Sequence, residues 1–260
     1  MQKWIYFGMK QKVYNMRKSI LLIFSLLFLF ACKTEKKFNE NLYGHWVSED
    51  LYNHIKSNKP LQEFSGNKLE FIIQSNDTNY TLVNLNGKVS TGPLELMENN
   101  NLVIKNFYGN YQNADIVYTN GKLDFLNPTT SESIHFVKID ANEFDQKESI
   151  SFNTFSIPLI NKNYIAGKYL LNSDTVQFNI SGKIKNLENH SNYSFCLDES
   201  CRNSAKTNTL FLSDKMNEGN FYEYTVTKDS LIIYEIDQVA VARGYNPGNV
   251  GVKYRMKKIN

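Results

Sequence analysis

The chain has 260 residues, 42% hydrophobic and 13% aromatic, which is enough apolar surface for a packed core and excludes a disordered polymer. Its formal charge of +3 arises from 29 basic and 26 acidic residues, yet five of the cations (Lys3, Lys10, Lys12, Arg17 and Lys18) and none of the acids lie ahead of Cys32. Setting those five aside leaves 24 basic against 26 acidic residues, a slightly acidic remainder that removes the electrostatic case for binding nucleic acid.

Arg17 and Lys18 open an apolar run from Ile20 to Phe30, closed by Leu29-Phe30-Ala31-Cys32. About a dozen apolar residues fall short of the roughly twenty that a spanning helix needs, so a cleaved leader fits better than a retained anchor. Basic, apolar and small-before-cysteine, in that order, resembles the bacterial lipoprotein signal peptide, whose last four residues form a lipobox. The resemblance implies a signal peptide over 1–31 and acylation of Cys32; Met1 to Asn15, ahead of the second methionine Met16, reads as a start-site overrun, with a long n-region as the alternative. A plain secretory signal that contains a cysteine is the alternative. The expected partner is therefore a membrane, reached through the N-terminal lipid at the end of a short tether, 32–40. The expected location is the cell envelope, at the outer membrane, with the face left open.

From Asn41 onward apolar residues alternate at period two, with turn residues every eight to twelve positions, which predicts an all-β fold of antiparallel strands. Leu69, Phe71 and Ile73 share one strand face, and Tyr80 and Leu82 follow on the next strand. Asn86-Gly87 and Asn120-Gly121 supply the positive φ that two-residue hairpin turns require. Around the second turn, Ile116 and Tyr118 should face Leu123 and Phe125. Later hairpins are expected at Ser181-Gly182 and Lys228-Asp229. Only Glu49 to Lys56 reads as helical, with Ser48 as N-cap, acids in the first turn, and Leu51 and Ile55 on one face.

A long repeat emerges when the chain is laid against itself. Leu42-Tyr43-Gly44-His45-Trp46 and Ile134 to Ile139 bound one unit, and Ile165-Ala166-Gly167-Lys168-Tyr169 and Tyr254 to Ile259 bound another. Matching ends at about 90 residues argue for duplication, and a unit of that size holds seven or eight short strands. Closure into a barrel removes the edges that would otherwise aggregate. The expected domains are 41–140 and 163–260, joined by a polar linker, 141–162, that contains Pro158. One continuous sheet built from both halves is the competing arrangement.

Gly44-x-Trp46, a short helix after it and antiparallel strands ending near a basic residue resemble the lipocalin-like barrels, including short versions found in envelope lipoproteins. That resemblance implies two short tandem barrels with Trp46 as a structural plug, Gly167 and Tyr169 as a degraded copy of Gly44 and Trp46, and Arg255 as the basic residue over the second plug. The first unit offers Lys138 in place of an arginine. It also admits a small apolar or amphipathic ligand, although an eight-stranded barrel can equally be filled by its own side chains.

Chemistry-bearing patterns are sparse. His45, His54, His135 and His190 lack the i, i+4 pairing of a helical zinc motif. Gly244, Gly248 and Gly251 are not followed by the Lys-Ser or Lys-Thr of a phosphate loop. Neither a catalytic set, nor a metal site, nor a cofactor is therefore expected. Lys253, Arg255 and Lys257 share a strand face, read as a solvated outer row, with an anionic lipid surface as the sharper alternative. With Cys32 acylated, Cys196 and Cys201 are the two remaining thiols; they flank Leu197-Asp198-Glu199-Ser200 in an exported protein and are expected to form a disulfide. Two functions remain: a ligand-binding barrel protein, or a non-enzymatic interaction protein with solid barrels that contacts a protein or glycan through its loops.

Overall fold

The computed structural model describes residues 39–260 except 58, 67, 75–78, 85–88, 98–100, 108–111, 129, 145–153, 198–208, 246 and 260. The leader, Cys32, Cys201 and the Asn86-Gly87 turn lie outside the described residues.

The first half of that chain forms β1 (Gly44–Ser48), β2 (Leu69–Ile73), β3 (Asn79–Asn84), β4 (Val89–Leu96), β5 (Leu102–Ile104), β6 (Ala114–Thr119), β7 (Lys122–Leu126) and β8 (Ser133–Ile139). Each strand pairs antiparallel with the next, and β8 returns to β1 with Lys138 opposite Trp46, closing a barrel. The second half forms β9 (Gly167–Leu171), β10 (Asp174–Phe178), β11 (Lys183–Leu187), β12 (His190–Phe195), β13 (Thr209–Ser213), β14 (Gly219–Val226), β15 (Ser230–Ile236) and β16 (Asn249–Ile259). β16 closes this barrel on β9, with Lys258 opposite Tyr169. Two closed eight-stranded antiparallel barrels in tandem are thus the architecture, not one continuous sheet.

Local chemistry sets the register as expected at the β6–β7 hairpin. Asn120 and Gly121 take φ of 53° and 81°, the left-handed pair that matches strand twist, and Ile116 and Tyr118 face Phe125 and Leu123. The Ser181-Gly182 and Lys228-Asp229 turns also join paired strands, although β10 ends at Phe178, so Ile180 belongs to the loop.

The alternating inward residues fill both barrels. In the first, Trp46, Phe71, Phe107, Phe125 and Phe136 are at most 2% exposed. Phe71 stacks on Tyr80 at 5.5 Å, and Phe107 meets Phe125 edge-on at 5.1 Å. In the second, Tyr169, Phe178, Tyr193, Leu210, Leu212, Leu231, Ile233 and Met256 pack into one cluster. Aromatic pairs at these separations add to the burial of their area.

Helix α1 (Glu49–Lys56) follows β1 as expected, with Ser48 at the N-cap position but without a side-chain capping bond. Two further helices were not legible as such: α2 (Ser156–Tyr164) and α3 (Gln238–Ala242). The polar segment 141–162 therefore does not serve only as a linker. Pro158 falls in the first turn of α2, where its missing N–H costs nothing, and Leu159 and Ile160 are fully buried.

α2 lies in a second hydrophobic core, outside both barrels. Val47 and Ile139 on the outer wall of the first barrel, Leu51 and Ile55 of α1, Leu61, Phe64, Phe144, Leu159, Ile160 and Leu197 form it together. Burying each large aliphatic here contributes roughly 1.5–3 kcal/mol.

Candidate functional site

Trp46 and Tyr169, both fully buried, occupy equivalent places near the start of the two barrels. Trp46 Nε1 donates to the Leu42 carbonyl at 2.9 Å, and the Tyr169 hydroxyl donates to the Ile165 carbonyl at 2.8 Å, each four residues upstream. Gly44 and Gly167 precede them by two positions with φ of 131° and 153°. A side chain at Gly44 would put its Cβ 2.9 Å from Lys138 Cε, so the glycine admits the lysine that covers the plug. Lys138 Nζ lies 5.5 Å from the Trp46 ring centroid and donates to the Asn41 carbonyl, and desolvation lowers its pKa.

The basic residue of the second barrel is placed differently from expectation. Arg255 pairs across to Ile232 and is exposed, whereas Lys258 stands opposite Tyr169 with its Cε 3.7 Å from where a Gly167 Cβ would be. Side chains alternate along β16, and Arg255 falls on the same outer face as Lys253 and Lys257. Lys253 there pairs with Glu235 at 2.7 Å, as a solvated row does.

A buried acid ties the first barrel to the start of α2. Glu70 on β2 is fully buried and accepts from His45 Nδ1 at 2.7 Å, Phe155 N at 2.6 Å, Ser156 N at 2.9 Å and Ser156 Oγ at 2.6 Å. The carboxylate sits at the N-terminus of α2, where backbone amides and the helix dipole favour negative charge. His45 then stacks on Phe155 at 3.8 Å. Strand alternation puts Glu70 on the face opposite Leu69, Phe71 and Ile73, the face that an all-β barrel ordinarily turns to solvent. The signal against that was its company, because Ile72 shares the outward face with it and an apolar neighbour there implies a cover.

The remaining histidines serve local structure. His54 contacts the Pro60 carbonyl, His135 pairs with Asp124 at 2.6 Å, and His190 lies edge-on between Tyr222 and Tyr254. Among the described residues no cluster of three or more metal-ligating side chains occurs. Cys196 follows β12, and its amide donates to the Thr209 carbonyl.

A recess lies between the barrels. It is a groove of about 620 Å³ lined by Pro60 and Leu61 from the first half, Asn163 and Tyr164 of α2, Tyr224 to Lys228 at the β14–β15 turn, and Lys258 of β16. That volume is in the range of small-molecule sites. Tyr164 donates to the Lys59 carbonyl at 2.8 Å, bracing one wall, and burial pushes its pKa up to about 12. Tyr224 is only 4% exposed, and burial, then the nearby Tyr164 phenol, raises its pKa. Both phenols are therefore neutral hydrogen-bond donors at ordinary pH. A second hollow of about 580 Å³ beside α1 carries Asp50 and Glu63 as well as His54 and Lys59, so it offers no single charge preference. No sequence motif marks the groove, since its residues come from four separated segments.

No protein-family model matches the chain, and neither a curated protein nor a solved structure matches it significantly.

Proposed function

We propose that the chain is a non-enzymatic, lipid-anchored binding protein of the bacterial cell envelope, whose small amphipathic ligand lies in the inter-barrel groove and not inside a barrel. The observation that carries this reading is the filling of both interiors by rings and aliphatic side chains, beside an open groove of about 620 Å³. The Leu29-Phe30-Ala31-Cys32 lipobox supports acylation at Cys32 and an outer-membrane location, and the Gly44-x-Trp46 plug under Lys138 supports a lipocalin-like origin. A Cys196–Cys201 disulfide completes the reading, holding the chain beside Leu197, which is buried in the junction core.

Native mass spectrometry of protein extracted from envelope membranes tests the proposal. A small-molecule adduct is expected on the unaltered protein, and Thr225→Trp, which adds a ring to the groove from an exposed position, should abolish it. An adduct that survives Thr225→Trp would move the ligand elsewhere.

One observation favours the reading of an interaction protein that works through its loops. The β15–β16 connection and the start of β16 expose Val239, Tyr245 and Val250 at 58–67%, and α3 has no buried residue. Apolar side chains gathered at one tip suit contact with a protein or glycan. A clean apo mass in the same experiment would favour this reading.

A further inference from the structure

We infer that the groove selects anionic amphiphiles, a single carboxylate or phosphate on an apolar body, with Lys228 and Lys258 binding the charge and Pro60, Leu61 and Tyr164 receiving the body. The inference rests on the groove being the ligand site.

Charge balance in the groove comes first. Its ten lining residues include two cations and no carboxylate. Four other lysines have acidic partners: Lys56 with Glu143, Lys105 with Glu95, Lys122 with Glu49 and Lys253 with Glu235. Among the described residues neither Lys228 nor Lys258 has one. An uncompensated pair of ammonium groups against a partly apolar wall raises the local concentration of anions.

The repeat sharpens the point. Lys138, which occupies in the first barrel the place of Lys258 in the second, spends its ammonium on the Asn41 carbonyl and the Trp46 ring. Among the described residues no such bond engages the Lys258 ammonium, which lines the groove. A neutral donor accompanies it: the Tyr224 phenol is almost wholly buried, lines the groove and makes no hydrogen bond among the described residues. Two hydroxyls, Thr225 and Thr227, stand on the same turn, although the Thr227 hydroxyl is shared with Ser230. Ammonium, phenol and hydroxyl donors around an apolar floor are what an anionic head on an apolar body requires, since charge-assisted bonds orient the head while burial of the body adds affinity.

The test uses the chain from Asn39, which is one compact unit. Dodecanoate, dodecyl phosphate, dodecylamine, acetate and inorganic phosphate are titrated calorimetrically. Dodecanoate and dodecyl phosphate are expected to bind at one site, with dodecylamine, acetate and inorganic phosphate at least about tenfold weaker, as the loss of either half of the recognition implies. Lys228→Gln together with Lys258→Gln should weaken dodecanoate by roughly tenfold without weakening any residual dodecylamine binding. Lys228→Gln alone lies on an exposed turn and should give part of that loss with unfolding unchanged. A preference for one anion over the other identifies the head group as carboxylate or phosphate. Equal binding of dodecylamine, or dodecanoate affinity untouched by the lysine variants, overturns the anion selectivity while leaving a groove ligand in place. Binding of inorganic phosphate as tight as dodecyl phosphate also overturns it, since the apolar body then contributes nothing. Failure of every amphiphile to bind overturns the groove reading itself.

Discussion

The same outer wall is covered in one barrel and bare in the other. On β1 and β8 the outward residues Val47, Val137 and Ile139 face α1, α2 and Phe144, and Val47 is fully buried. The strand pairing puts Leu170, Lys257 and Ile259 at the corresponding places on β9 and β16. Leu170 is 37% exposed and Ile259 39% exposed. The inward residues of the two units remain alike in role, Trp46 with Tyr169 and Phe136 with Met256. Duplicated barrels therefore keep their interiors similar, because closure demands it, while their outer walls diverge according to what packs there. Glu70 belongs to that divergence: besides His45 of its own barrel, its carboxylate takes two amides and a hydroxyl from Phe155 and Ser156 at the start of α2. Replacing Val137 by a lysine at the equivalent place, Lys257, is the change that keeps the second wall wet.

The plugs should give the largest effect. Trp46→Ala removes a fully buried ring and is expected to cost about 3–5 kcal/mol, measured by urea unfolding. Because the junction core joins the halves, the second barrel should lose stability in the same transition. A second barrel that keeps its unfolding midpoint would show that the junction transmits nothing.

A smaller and more discriminating effect is expected at the outer wall. Val47→Lys puts a charge into the shared core and should cost about 3 kcal/mol, whereas Leu170→Lys should change stability by no more than about 0.5 kcal/mol. Comparable losses for the two would mean that the second wall is also covered in the working protein.

The smallest effect depends on pH and separates the two plugs chemically. Burial raises the Tyr169 pKa from its ordinary 10 to about 12. Between those values the unfolded chain loses this proton first, so stability falls as pH rises from about 10 to about 12. Tyr169→Phe should cost about 1 kcal/mol at neutral pH through the lost bond to Ile165, and the deficit should shrink across that alkaline window. A deficit that stays constant from pH 7 to 12 would indicate that Tyr169 does not titrate with folding. Trp46 has no ionisable group, so its variants carry no comparable dependence.

Much of this architecture was legible locally. Asn120-Gly121 fixed one hairpin because only two backbone conformations join strands so tightly, and Gly44-x-Trp46 with its copy at Gly167 and Tyr169 marked where each barrel begins. Arg255 was misplaced because a basic cluster at a strand end has several candidates, and only the pairing of β16 with β9 selects Lys258. α2 was missed because its two buried aliphatics lie among Asn161, Lys162 and Asn163, a polar setting that reads as linker. Glu70 was missed because alternation assigns a face without saying what lies beyond it.

The sequence by itself determined the strand alternation, the Asn120-Gly121 turn, the duplicated ends and the first inward aromatic of each barrel, since each depends on neighbours within a few positions of the chain. Only the tertiary structure decided which outer wall is covered, that a carboxylate on β2 caps a helix 86 residues away, and that Leu61, Tyr164, Tyr224 and Lys258 share one groove. Those depend on surfaces that meet only after both barrels have closed, and the periodicity of a strand carries no information about what will pack against it.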